Sequence, residues 1–416
     1  MLAAGIGLKT ENIGTFRKAI NEYADSIEMP FPIQTVDFKL NPAYVNAEML
    51  SAIFHFSLFT FHSSLFILIA AAMTPPKKIL IIRFSAMGDV AMLVPVVHAL
   101  ATLYPDVHVT VLSRPFAQAF FEGLAPNVSF MAADLTTEYK GIRGLNALYR
   151  RLAAKQFTHI ADMHGVLRSH YLRMRFLLND YRVEHIDKHR KDRQALIRPE
   201  NKVFKQLPTS FRNYAEVLHR LGFPLKPTFR SIFGEGKGNL RLLPPEIGEK
   251  KAFQKWIGIA PFAAHKGKIY PIEKMEQAMQ LILKDHPNTR IFLFHGKGEE
   301  AELMRQWTDR YPEVTSASTL LNGIQQELIL MSHLDKMISM DSGNMHLASL
   351  VACPVVSVWG ATHPYAGFLG WRQSPDNVID VPLPCRPCSI YGNKPCTQGD
   401  YPCLNNIPPQ AIADKI

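Results

Sequence analysis

The chain has 416 residues, 47% of them hydrophobic and 20% charged, and a formal net charge of +10. That length suits two or three domains, and the composition excludes both a disulfide-dependent mini-protein and a disordered polyelectrolyte. The charge is uneven: residues 1–73 hold four Lys/Arg against six Asp/Glu, so the remainder carries +12. A body this basic implies an anionic partner, whether phosphate, acidic lipid or nucleic acid.

Residues 1–50 read as a small separate piece. Ile13, Phe16, Ile20 and Tyr23 recur at helical spacing behind Thr10 or Asn12 as N-cap. Ala52–Met73 then contains no Lys, Arg, Asp or Glu. Its length would span a bilayer, and Lys77 and Lys78 beyond it would favour a cytoplasmic C-terminal side. Its two histidines and several Ser/Thr favour a spacer over a membrane anchor. No signal peptide with a basic start and cleavage site opens the chain, and four of the five cysteines crowd into 385–403, so a reducing cytoplasm is expected.

From Lys77 the pattern becomes α/β. KKILIIRF predicts a buried parallel strand, SAMGD a turn, and VAMLVPVVHALATLYP a helix. VHVTVLS and FTHIADMHG predict further strands, with FAQAFFEGL helical between them. A Pro/Gly/Lys-rich stretch at 224–250 interrupts the rhythm, which resumes with WIGIAPFA, TRIFLFHG, KMISMD and PVVSVWG. Two doubly wound, Rossmann-like domains, 74–240 and 250–416, are therefore expected to face each other across a cleft.

In such sheets the loops after strands carry ligands. Ser85-Ala86-Met87-Gly88-Asp89 ends in a carboxylate that is either a helix cap or a functional group. Asp341-Ser342-Gly343-Asn344-Met345-His346 opens a helix whose free N–H groups suit a diphosphate, unless it is simply a capped start with a buried histidine. Lys268, in HKGKIYP, could offset phosphate charge on a departing group or be merely solvated. Glu299 and Glu300, in GKGEE, could accept ribose hydroxyls or favour a helix start.

Together these strings match one family. IRFSAMGDVAMLVPVVHAL, DMHGVLRSHYLR, APFAAHKGKIYP, FLFHGKGEE and above all ISMDSGNMHLASLVACPVVSVWGATHP resemble the heptosyltransferases, glycosyltransferase family 9, over about 77–416. The resemblance implies a GT-B fold and an inverting, metal-independent enzyme with no required cofactor. Such an enzyme moves a heptose from an ADP-heptose donor to the lipid A–core acceptor of lipopolysaccharide. It implies Asp89 as general base, and Lys268, Glu299 or Glu300, and Asp341 through His346 at the donor. Ser85, Gly88, Arg168 and Ser169 would lie on the acceptor side. It also implies a cytoplasmic enzyme in peripheral contact with the anionic inner membrane. Many relatives carry two hydroxyl residues before the Met, and here the second is Ala86. The absence of any D-x-D triplet fits a leaving group neutralised by cations and N–H groups.

Cys385, Cys388, Cys396 and Cys403 could form a structural zinc site or remain buried thiols. The basic runs Arg168–Arg175 and Lys188–Arg193 suit a phosphorylated sugar acceptor better than nucleic acid, which is not expected as a partner. Residues 1–50 resemble a C-terminal fragment of a DHH-type single-strand-specific exonuclease without its metal-binding motifs, which suggests a fusion or a misplaced start. The competing functions are transfer from another sugar nucleotide and a non-catalytic or nucleic-acid-binding fusion protein.

Overall fold

The computed structural model describes residues 77–416, so the exonuclease-like segment 1–50 and the apolar stretch 51–73 lie outside the described residues. The first half contains β1 (Lys78–Ile82), β2 (His108–Ser113), β3 (Val128–Ala132), β4 (His159–Asp162) and β5 (Arg182–His185). Its longer helices are α1 (Met87–Ala91), α2 (Val94–Leu103), α3 (Gly141–Ala153), α4 (Leu167–Leu177), α5 (Arg190–Leu196) and α6 (Ser210–Arg220). The second half contains β6 (Lys255–Ala260), β7 (Thr289–Leu293), β8 (Val314–Ser316), β9 (Lys336–Met340), β10 (Val355–Val358) and β11 (Val378–Ile379). Its helices include α7 (Ile272–Asp285), α8 (Glu299–Arg310), α9 (Ile324–Met331) and α10 (Gly343–Leu350).

Both sheets are wholly parallel, in the orders β3-β2-β1-β4-β5 and β11-β10-β9-β6-β7-β8. Each chain half starts at the sheet centre, winds to one edge, then returns to wind the other way. This is the expected GT-B architecture of two Rossmann-like sheets. The strand order reverses between β1 and β4 and between β6 and β9, so the crevices for ligands open beyond the C-terminal ends of those four strands.

The period of two along β1 builds the first half. Leu80 and Ile82 face α3 and α4 with Leu148, Leu152, Leu172 and Phe176, whereas Ile79 and Ile81 join Val97, Leu100 and Val217 on the other face. The latter cluster continues into Trp256, Phe292, Met337, Leu350 and Trp359, so both halves share one core and Pro76–Ile416 forms one compact unit. The helix predicted over 90–105 is divided after Ala91, and α2 restarts with Pro95 in its first turn. Proline lacks the N–H that an uninterrupted helix would need there.

The cysteine-bearing segment buttresses the second sheet. Arg386, buried, donates to the carbonyls of Gly360 at 2.6 Å, Val381 at 2.7 Å, Thr362 at 3.0 Å and Trp359 at 3.3 Å, and pairs with Asp380 at 2.9 Å. Lys202 Nζ, from the first half, donates to the carbonyls of Pro384, Cys385, Arg386 and Pro387 at 2.8–3.2 Å. Of the two readings of the cysteine cluster, zinc finds no support in the structure. All four cysteines are free thiols, and no three His, Cys, Asp or Glu among the described residues are arranged to hold a metal ion. Backbone carbonyls caged by Arg386 and Lys202 hold the segment instead.

Replacing Arg386 with Leu strips these buried carbonyls of their donor, so unfolding free energy from urea titration should fall by about 3 kcal/mol or more. A loss below about 1 kcal/mol would show that water replaces the guanidinium at little cost.

Candidate functional site

Two helix N-termini meet where the switch points of the sheets converge. The turn after β1 delivers α1, the loop after β9 delivers α10, and these helices pack directly on one another. The close approach leaves little room for a side chain at Gly88. A Cβ on Gly88 would stand 2.5 Å from Cδ2 of the buried His346 ring, whereas one on Gly343 would meet only the flexible end of Met87.

Asp89 sits at the third position of α1. Its Oδ2 lies 2.7 Å from Arg83 Nη2 and accepts the Ala86 N–H at 3.2 Å. Burial opposes its ionisation, but the Arg83 charge and the Ala86 N–H outweigh burial and hold the carboxyl below its ordinary range. Arg83 is itself fixed, donating to Met163 O at 2.6 Å with its guanidinium 5.8 Å from the centre of the Tyr214 ring. The Tyr214 hydroxyl donates to Asp89 O at 3.2 Å. Asp89 therefore both caps its helix and presents a carboxylate that stays ionised; the two readings of this residue are compatible.

The loop after β4 supports this turn. Fully buried Asp162 accepts the N–H groups of His164 and Gly165, each at 2.9 Å, and the Ser169 hydroxyl at 3.1 Å, with Arg173 at 3.7 Å. His164 Nδ1 receives the Phe84 N–H at 3.4 Å, and its Nε2 lies 3.4 Å from Ser85 Oγ. Burial, then Arg83 and Lys188, push the His164 pKa down to about 3. The neutral ring, accepting at Nδ1, carries its proton on Nε2 and donates to Ser85. That leaves the Ser85 hydroxyl proton for a ligand.

In the second half, Lys268 Nζ lies 3.0 Å from Asp341 Oδ2, with both side chains largely buried. Ser342 does not cap α10, its hydroxyl meeting Ser339 Oγ at 3.2 Å, so the first N–H groups of that helix remain open to an anion. His346 is buried between the halves with Nδ1 unpartnered. Burial pushes its pKa down to about 4 against the pull of Asp341 and Asp89, so the ring is neutral at pH 7.

Some expected residues are otherwise occupied. Ser169 is fully buried and holds the loop through Asp162 and the Val166 N–H rather than facing a ligand. The Met345 side chain belongs to the shared core. Glu300 accepts the Gly296 N–H at 2.6 Å and so closes its own loop, while Glu299 is exposed at the start of α8. Arg168 does line a cavity of about 370 Å³ together with Ser85, Arg114 and His164. A second cavity of about 820 Å³ is lined by Arg173, His185, Lys188, Arg190, Lys191 and Arg220 among others. Sequence reading missed Arg83, Asp162 and His164; their positions at or just beyond the ends of β1 and β4, at the switch point, were the available signal.

The sequence model described as glycosyltransferase family 9 (heptosyltransferase) matches residues 145–395, more than half of the chain. The chain is 23% identical over 317 residues to the lipopolysaccharide core heptosyltransferase OpsX of Haemophilus influenzae, covering 74% of this chain and 85% of that protein. It is similar in structure to the family 9 glycosyl transferase of Veillonella parvula, with a TM-score of 0.60 and 17% identity over 81% of this chain and 95% of that one. It is also similar to E. coli heptosyltransferase WaaC with ADP, with a TM-score of 0.51 and 18% identity over 73% and 92%.

The depressed Asp89 pKa fixes the sign of a pH effect. The Asp89–Arg83 pair contributes stability that is fully present above the unfolded carboxyl pKa, about 4, and is lost as pH falls through the lower folded value. Asp89→Asn should thus be less stable than the wild type at pH 7, and urea titrations should show that gap shrinking below about pH 4. A gap that widens on acidification would contradict the pairing.

Proposed function

Because the chain belongs to glycosyltransferase family 9, the heptosyltransferases, we propose that it moves a heptose from ADP-heptose onto the lipopolysaccharide inner core, with inversion and without a catalytic metal. The observation that carries this reading is the junction of α1 and α10, which sets the Asp89 carboxylate beside an uncapped helix N-terminus and the His346 ring. ADP in the structure of E. coli WaaC and the core acceptor named for the Haemophilus relative support the choice of donor and acceptor.

In this reading an acceptor hydroxyl attacks the anomeric carbon from the face opposite the diphosphate. Its oxygen bonds to that carbon as the bond to the phosphate oxygen breaks, and ADP departs. Asp89 accepts the hydroxyl proton. Arg83 keeps the carboxylate ionised at neutral pH, at the cost of basicity, so the proton moves as the attacking oxygen becomes acidic late in the displacement. Charge accumulating on the diphosphate is met by Lys268 and by the open N–H groups of α10. Asp341, 3.0 Å from Lys268, aims the ammonium rather than touching the donor. The basic cavities along Arg168 and Lys188 suit an acceptor carrying phosphate or carboxylate groups.

Transfer assays with a panel of ADP- and UDP-sugars test the donor: ADP-heptose should be preferred, and turnover with UDP-sugars alone would overturn the assignment. Asp89→Asn should lower turnover at least about a hundredfold, and near-normal rates would remove the base from this position. Lys268→Ala should weaken ADP binding by about 1.5–3 kcal/mol in calorimetry while leaving adenosine unaffected. Equal weakening of both ligands would make the lysine structural. EDTA should leave transfer unchanged, and its abolition would refute the metal-free mechanism.

A further inference from the structure

Helix α4 is apolar on two sides. Ser169, Leu172 and Phe176 face the core, as burial requires. On the outer side Leu167 is 87% exposed, Met174 46%, and Leu178, directly after the helix, 75%. Positions i, i+7 and i+11 fall on one stripe, about 16 Å long. Leu177 is also exposed, as is Ile142 on α3, the helix packed beside α4. Single exposed leucines are ordinary, but five large apolar side chains on two adjacent helices form a patch that needs a partner.

The charge around the patch selects that partner. Helices α3 and α4 contain six arginines and no carboxylate. Arg151 is engaged by Glu138 and Tyr139, Arg173 by Asp162, and Arg175 by Asn146 and the Tyr149 ring. Arg143, Arg150 and Arg168 are exposed and have no carboxylate partner among the described residues. A second copy of the chain would oppose arginine to arginine. An anionic bilayer accepts both the leucines and the cations, which is the composition of an interfacial helix.

We propose that the outer face of α3 and α4 is a docking surface for anionic lipid bilayers. The surface runs into the site, since Leu167 and Arg168 line the same cavity as Ser85 and His164. Taken with the proposed function, on which this clause alone rests, a lipid-linked acceptor reaches Asp89 from the membrane without passing through bulk water.

The test is flotation of the full chain with phosphatidylcholine vesicles and with mixed phosphatidylcholine–phosphatidylglycerol vesicles, in the absence of donor and acceptor. The wild type should prefer the anionic vesicles. Met174→Gln/Leu178→Gln should lose at least about tenfold in affinity for them. Arg143→Ser/Arg150→Ser should reduce both the preference for phosphatidylglycerol and its sensitivity to salt. Circular dichroism and transfer to a delipidated core oligosaccharide should be unchanged in both variants. Unchanged vesicle affinity in both variants, whether another surface or residues 52–73 hold the protein, overturns the proposal. So does sedimentation showing that the substitutions only dissociate a dimer while vesicle binding persists. Failure of transfer with every donor, alongside the expected vesicle response, would strike the proposed function and leave the docking surface standing.

Discussion

The approach of α1 to α10 governs the geometry of the site. Two helix N-termini repel, since each presents unpaired N–H groups and the positive end of a dipole. Here they meet because Gly88 leaves room for the His346 ring, and because carboxylates sit within the junction. Asp89 belongs to one helix, Asp341 precedes the other, and the neutral His346 ring fills the space on Gly88. The result is a junction in which two positive helix ends, Lys268 and Arg83 are balanced by the Asp89 and Asp341 carboxylates.

That junction also depends on the groups packed around it. Arg83 holds Asp89 ionised and is itself tied to Met163 O, so the strand-to-helix turn is rigid on both sides of Ser85. His164 brings the β4 loop to the same place by meeting Phe84 and Ser85, about 80 residues away in sequence, while Asp162 closes that loop on itself. A sheet with its switch point at β1 and β4 is what makes those partners neighbours. In the second sheet the same topology pairs the Lys268 turn, after β6, with the Asp341 loop, after β9.

How much of this could be read beforehand follows burial. The central strands β1, β4, β6, β9 and β10 are almost fully buried and announced themselves as apolar runs. The edge strands β3, β5, β8 and β11 went unrecognised. Arg182–His185 is half-exposed and polar, and Val378–Ile379 is two residues long, so neither carries a periodic signal. Loops that bear the site were legible because glycine, hydroxyl and charged residues interrupt apolar strands. The direction in which a side chain points was not. Ser169 and Met345 turn inward and Glu300 turns onto its own loop, although each lies in a string that resembles a ligand-binding motif. Cysteine spacing left zinc and free thiols both open for a similar reason: what orders that segment is an arginine and a lysine donating to carbonyls, which no cysteine pattern encodes.

The central claim is that both halves act on one donor at the α1–α10 junction. A crystal structure of the full chain with an unreactive ADP-heptose analogue examines that claim most directly. The account predicts the diphosphate within hydrogen-bonding distance of Lys268 Nζ and of the first N–H groups of α10, with the anomeric carbon turned toward Asp89. A nucleotide bound away from α10, or an anomeric carbon shielded from Asp89 by its own diphosphate, would contradict it.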